Sequence, residues 1–342
     1  VHKTDKPILN VLQGIKPKRR PVWLMRQAGR YLPEYRELRA KSKNFLNMCL
    51  TPELATEITL QPIRRFDFDA AILFADILLI PYALGLSLEF REGEGPVLQK
   101  VANENDIEHL VYDDQKLQPV YQTLGMVGKK LPELTTLIGF CGAPWTVACY
   151  MIDGNSRNNF ADAKTWLRDK PKLLQRLINI LIDASEKYLS RQIEAGAEAL
   201  QIFDSWAGLL SAEDFNRWVI APTKELVSRI KKRYPHIPII GFPREAGDDY
   251  APYIRGTGVD GMSIDQSVDI RRAQRDWQAV KPLQGNLDPA LLVTGGSAMH
   301  KALADILMVF GPKHIINLGH GVVPQTPPDH VADLVKFVRD FD

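Results

Sequence analysis

The residues best suited to chemistry fall in short clusters separated by apolar runs. Arg26, Arg30, Arg36 and Arg39 crowd one segment, with Glu34 and Glu37 as the only acids near them. An arginine fork matches carboxylate geometry, so this cluster suits a carboxylate clamp, and Gly29 permits close backbone approach. It equally fits a solvated basic loop paired internally with its two glutamates. Arg36 is the member best suited to a structural role. Asp76 ends an apolar run, where a carboxylate needs donors. It suits acceptance of ligand N–H groups or stabilisation of a cation; a helix N-cap or a buried pair with arginine would also satisfy it. His320 stands between Gly319 and Gly321. The glycines leave it room to meet a ligand, while a satisfied structural histidine is the alternative. Tyr150 and Ser205 are neutral hydrogen-bonding candidates.

The elements that must position these groups are short runs rich in Ile, Leu, Val and Phe. Eight are visible, at 22–25, 70–75, 136–140, 199–203, 238–242, 261–264, 281–284 and 315–318. They do not alternate with polar residues, as expected of strands buried on both faces. Amphipathic helices lie between them. Thr51-Pro52-Glu53 and Thr326-Pro327-Pro328-Asp329 are helix starts, Ser211 and Asp214 resemble a capping box, and Gly196 ends a helix over 173–195. Strands alternating with helices imply parallel pairing and right-handed crossovers. Eight of them predict an α/β chain folded as one (β/α)8 TIM-type barrel domain over residues 1–342; a doubly wound sheet is the alternative. The stretch 86–99 reads as a hairpin excursion after the second strand, turning at Glu92-Gly93-Glu94-Gly95. In a barrel the polar groups that follow the strands gather at one end. Here those groups include Arg26, Asp76, Asp204-Ser205, Arg244-Glu245, Asp265 and His320.

Composition narrows the function. The chain has 342 residues, 45% hydrophobic and 25% charged, with 43 basic and 41 acidic residues for a net charge of +2. That balance speaks against a general nucleic-acid binder. No apolar run is long enough to span a membrane, and Val1–Pro21 lacks a signal-peptide core. Three cysteines, Cys49, Cys141 and Cys149, form no zinc-ribbon or C-x-x-C spacing. A cytosolic, reducing setting is expected. The histidines show no metal-ligand spacing, and no dinucleotide or Walker A motif is present. No metal site is expected.

Six motifs carry a resemblance. PVWLMRQAGRYLPE at 21–34, FADIL at 74–78, GFCGAPWT at 139–146, DSWAG at 204–208, QGNLDP at 284–289 and NLGHG at 317–321 resemble, in order, the uroporphyrinogen decarboxylase family. Tyr35 stands where some members have Phe. The resemblance implies a cytoplasmic, homodimeric barrel enzyme of haem biosynthesis that needs no cofactor. It implies conversion of uroporphyrinogen III to coproporphyrinogen III with release of four CO2. Arg26, Arg30 and Arg39 would meet substrate carboxylates, and Asp76 the pyrrole N–H groups. Tyr150, Ser205 and His320 would contact the substrate, and Gln27, Ala28 and Gly29 would shape the loop. Asp76, Arg26, His320 and Tyr150 would be the catalytic set. The proton donor stays open between a protonated His320 and a desolvated Arg26. Two other readings remain: a corrinoid-linked methyltransferase, whose thiolate zinc site lacks a late cysteine here, and a non-catalytic tetrapyrrole binder.

Overall fold

The computed structural model describes residues 4–91 and 94–341. Seven parallel strands form one curled sheet in sequential order: β1 (Ala70–Ile72), β4 (Thr136–Gly142), β5 (Ala199–Asp204), β6 (Ile239–Pro243), β7 (Gly261–Ser263), β8 (Leu283–Leu287) and β9 (His314–Leu318). The antiparallel pair β2 (Leu88–Arg91) and β3 (Gly95–Leu98) makes a separate hairpin, where the sequence placed one. Of its expected turn, Glu92 and Gly93 lie outside the described residues. The sheet order never reverses, which separates this barrel from a doubly wound sheet.

The expected first strand at 22–25 is a single parallel bridge, Val22 to Ile316. It still closes the sheet. Ile316 donates to the Pro21 carbonyl at 2.9 Å and Trp23 donates to the Ile316 carbonyl at 3.2 Å, while Asp69 donates to the Val22 carbonyl at 2.9 Å. The ladder stops because side chains take the other N–H groups. Val22 donates to Asp69 Oδ2 at 2.8 Å, Leu24 to Gln27 Oε1 at 3.1 Å and Met25 to Asn317 Oδ1 at 2.9 Å. β1 is likewise shorter than the expected 70–75, because Phe74 donates to Thr59 Oγ1 at 3.1 Å and so leaves the sheet. The last helix runs Pro328–Asp340 with Pro327 as N-cap, so the start moves past Thr326. The long helix is Pro171–Glu194, close to expectation, with Gly196 at φ 116° beyond it.

Polar side chains fill one interior layer of the barrel. Trp23 Nε1 donates to Gln284 Oε1 at 2.8 Å. Gln284 Nε2 donates to Gln201 Oε1 at 3.1 Å and to Ser263 Oγ at 2.5 Å. These groups come from the closing segment, β5, β7 and β8. Because they satisfy one another, their burial is tolerated and their rotamers are fixed.

All three cysteines are buried and free. No helix among the described residues is long and apolar enough to cross a membrane.

Candidate active site

The strand ends open into a cavity of about 1050 Å3. Every site residue expected from the sequence lines it except Gln27: Arg26, Ala28, Gly29, Arg30, Arg39, Asp76, Tyr150, Ser205 and His320. Gln27 is buried and spent on the fold. Its amide donates to the Ala70 carbonyl at 2.9 Å, and its backbone carbonyl accepts from Tyr31 Oη at 2.8 Å. It shapes the loop without reaching the cavity. Arg36 is also outside, tied to the Arg30 and Tyr31 carbonyls at 3.0 and 3.2 Å. Its structural role agrees with the sequence reading.

The arginine loop owes its shape to Arg26, which lies in the left-handed region at φ 61°. A non-glycine residue there is strained by about 1 kcal/mol or more, which marks a constrained position. The space for its side chain comes from Gly321. A Cβ at Gly321 would stand 2.3 Å from Arg26 Cδ and 2.6 Å from its Cγ. Gly319 has a different duty, because a Cβ there would meet the Gln266 backbone nitrogen at 2.1 Å. The glycines flanking His320 thus seat Arg26 and Gln266, a purpose the sequence did not reveal.

The arginines are left available. Among the described residues, Arg26, Arg30 and Arg39 make no ion pair. Arg39 lies over the Phe45 ring at 5.9 Å and donates to Met48 Sδ at 3.7 Å. Arg91, from the hairpin, also lines the cavity but is already paired with Glu89 and Glu94. The hairpin's Phe90 and Pro96 join it there, so the excursion after β1 forms part of one wall.

Asp76 is the cavity's central acid. Its Oδ1 accepts the Leu78 N–H at 2.8 Å. Burial raises its pKa to about 6, against the Leu78 hydrogen bond and the Arg26 charge. It is a turn acceptor that also lines the cavity; the helix Leu79–Ala83 takes Leu78, not Asp76, as its N-cap. Arg26 keeps an exposed surface and lines the cavity. Burial lowers its pKa, Asp76 and Tyr150 oppose that, and Arg244 and Arg30 add to it. His320 is pushed down to about 3 by burial and by the Arg26 and Arg244 charges, with Asp265 opposing. It is a neutral imidazole at physiological pH. Burial raises Tyr150, keeping its hydroxyl protonated and able to donate.

Two of the motif segments lock each other beneath Ser205. Thr146 Oγ1 donates to Asp204 Oδ1 at 2.5 Å and accepts the Trp206 N–H at 3.0 Å. Burial lifts Asp204 to about 7. Tyr150, on the helix Pro144–Asp153, meets Phe160 and Trp206 edge-on at 5.2 and 6.4 Å. An apolar wall completes the cavity: Phe140, Phe203 and Phe242, from adjacent strands, contact edge-to-face at 5.6 and 6.4 Å. These aromatics were not singled out from the sequence, and Arg244 was noted at its strand end without a role. The signal was strand parity, since Ile240, Phe242 and Arg244 alternate along β6 and its end.

Fold and site together define a parallel barrel whose mouth is a large cavity lined by arginines, a buried acid and an aromatic wall. The family model for uroporphyrinogen decarboxylase matches residues 3–341. A uroporphyrinogen decarboxylase of Granulibacter bethesdensis is 51% identical over 341 residues, covering 98% of this chain and 99% of its own. Its counterpart in Rhodospirillum rubrum is 49% identical over 340 residues, covering 98% of each chain. The chain belongs to the uroporphyrinogen decarboxylase family, whose named members are carboxy-lyases. Among solved structures, a methyltransferase from Methanosarcina mazei matches with TM-score 0.82 over 99% of both chains at 20% identity. A B12-independent methionine synthase from Shewanella matches with TM-score 0.59 over 85% of this chain and 88% of that one, at 10% identity. Those two likenesses establish a shared fold.

Proposed function

We propose that this chain converts uroporphyrinogen III to coproporphyrinogen III, turning four ring acetates into methyls with release of four CO2. The observation that supports this most directly is that Arg26, Arg30 and Arg39, which make no ion pair among the described residues, share one cavity with Asp76. The substrate's many carboxylates call for such cations, and its pyrrole N–H groups for such an acid.

Each turnover needs an electron sink for the C–C bond that breaks. A proton added to a pyrrole carbon beside the nitrogen makes the ring an iminium-like cation. Loss of CO2 sends the bond electrons into that ring. A second proton at the exocyclic carbon forms the methyl group, while the first leaves the ring. The net change replaces a carboxylate with hydrogen, so one proton is consumed for each CO2. The substrate ring supplies the sink, and the chain needs to supply charge and protons.

Asp76, ionised, stabilises the ring cation and accepts the N–H groups. The neutral His320 contacts the substrate as a hydrogen-bonding group, which disfavours it as the acid. Arg26 is the other candidate for moving a proton: burial lowers its pKa, and the Asp76 charge acts against that lowering. Arg30 and Arg39 hold carboxylates, and Tyr150 and Ser205 contact the macrocycle. A homodimer in a cytosolic compartment belongs to this reading.

The test is anaerobic incubation of chelator-treated protein with freshly reduced uroporphyrinogen III, followed by chromatography of the oxidised products. Successive seven-, six-, five- and four-carboxylate porphyrins are expected. Tight binding without product would instead make the chain a tetrapyrrole carrier.

A further inference from the structure

Arg244 lines the cavity beside Arg26 and His320, and nothing in the mechanism above uses it. Its backbone is pinned from several sides. Arg244 donates to the Asp204 carbonyl at the end of β5 and to the Phe242 carbonyl in β6, both at 3.1 Å, and its own carbonyl accepts from Gly208 at 3.1 Å. Glu245 follows in the left-handed region at φ 60°. That strained turn is held by Asp265 at the end of β7, whose Oδ2 accepts the Glu245 N–H and the Tyr250 hydroxyl, each at 2.7 Å. Gly208 presses on the same turn; a Cβ there would stand 2.4 Å from the Glu245 carbonyl oxygen. So much local order around one arginine is what a preorganised binding group requires.

The side chain is only 18% exposed. Its Nε is buried without a hydrogen-bond partner, while Nη2 pairs with Glu245. Nε and Nη2 form one edge of the guanidinium, the edge that grips a carboxylate with two parallel bonds. Glu245 therefore occupies half of a bidentate site and leaves the other donor unsatisfied, which is unfavourable in a buried position. Glu245 is itself half exposed and does not line the cavity, so it is free to turn outward.

We infer that Arg244 is a further substrate-binding residue, taking one carboxylate of the tetrapyrrole across Nε and Nη2 in place of Glu245. The inference rests on reading the cavity as a uroporphyrinogen site. It makes Glu245 an internal stand-in for a substrate arm, which neutralises Arg244 until the substrate displaces it.

The experiment is a fluorescence titration with oxidised uroporphyrin III, which carries the same carboxylates but does not react. Wild type, Arg244→Gln, Arg244→Lys and Glu245→Gln are compared, each with its melting temperature. Arg244→Gln is expected to weaken binding about 10- to 100-fold, the range of one charge-assisted bidentate pair. Arg244→Lys keeps the charge without the fork and should fall between wild type and Arg244→Gln. Glu245→Gln should bind as tightly as wild type or several-fold more tightly, because the competitor is gone. Unchanged binding by Arg244→Gln overturns the inference. So does equal weakening by Arg244→Gln and Glu245→Gln, which would make the pair merely structural. If Arg244→Gln does not fold, wild-type affinity in Arg244→Lys overturns the bidentate contact. A wild-type protein that neither binds uroporphyrin nor decarboxylates its reduced form would refute the cavity reading itself, a failure distinct from these.

Discussion

Asp69 and Val22 exchange two hydrogen bonds: the Asp69 N–H donates to the Val22 carbonyl at 2.9 Å, and the Val22 N–H donates to the Asp69 carboxylate at 2.8 Å. A backbone bond and a side-chain bond thus replace a strand ladder at the seam between the first and last parts of the barrel. The carboxylate is fully buried and also holds Arg19 Nε and Arg339 Nη2, both at 2.8 Å. The loop carrying Arg26 begins three residues beyond this seam.

Asp69→Ala is expected to lower stability by about 3–5 kcal/mol, because it leaves two partly buried arginines and the Val22 N–H without their acceptor. Urea unfolding followed by circular dichroism measures it. A loss below about 1 kcal/mol would mean that water replaces the carboxylate and that the seam is held elsewhere.

The barrel was legible because strands buried on both faces are continuous apolar runs, and these survive in β4, β5, β6 and β9 nearly where they were expected. The strand at 22–25 misled because its residues are apolar while the acceptors for its N–H groups are distant side chains, Asp69 and Asn317. No local pattern announces such partners. The cavity residues were legible through their motifs and their places at strand ends, with Arg36 rightly set apart. Gln27 shares the motif but is consumed by Leu24 and Ala70. Arg244 was placed at a strand end but given no role, because one arginine after a strand resembles any solvated residue. Only its parity with Phe242, and the distant Asp265 that holds its turn, distinguish it.

Asp76 should make the enzyme acid-sensitive. Its carboxylate titrates near pH 6 in the free protein, and only the ionised form stabilises a ring cation. Activity is expected to fall as pH drops through about 6. Asp76→Asn should cut kcat by about 100- to 1000-fold and remove that acid limb from what remains. Stability should move the other way. The raised pKa means that the folded state binds this proton more tightly than the unfolded chain, so stability is lost as pH rises from about 4 to about 6. The full rise corresponds to roughly 3 kcal/mol, less where cavity water screens it. Asp76→Asn is therefore expected to melt higher than wild type at neutral pH by about 1–2 kcal/mol. A variant that is inactive and less stable would contradict this.

Gly321 tests whether the seat of Arg26 matters. In Gly321→Ala the new methyl meets Arg26 Cδ and Cγ, and the left-handed backbone at Arg26 limits how the side chain can retreat. A displaced reacting group costs about 100-fold for an error near 1 Å. A fall in kcat/KM of about 10- to 100-fold is expected with little change in melting temperature. Gly319→Ala is the contrast. Its methyl meets backbone at Gln266, so stability should suffer along with rate. Wild-type kcat/KM in Gly321→Ala would show that Arg26 works from another position.

His320 supplies the sharpest test of which group moves the proton. Its pKa is held near 3 by burial and by Arg26 and Arg244, so the imidazole is neutral throughout the working range. His320→Asn keeps a neutral hydrogen-bonding group and is expected to slow turnover by about tenfold or less. The acid limb should stay near pH 6, because that limb belongs to Asp76. Stability carries a second signature. The unfolded histidine gains its proton near pH 6.5 while the folded one stays neutral, so stability is present above 6.5 and lost as pH falls from 6.5 toward 3. Each such histidine contributes a slope of up to about 1.4 kcal/mol per pH step. His314, fully buried and also pushed down to about 3, contributes in the same direction. His320→Asn should therefore flatten the acid side of the stability curve without abolishing its slope. A rate loss of several orders of magnitude, together with a shifted acid limb, would instead return the proton to His320 and take it from Arg26.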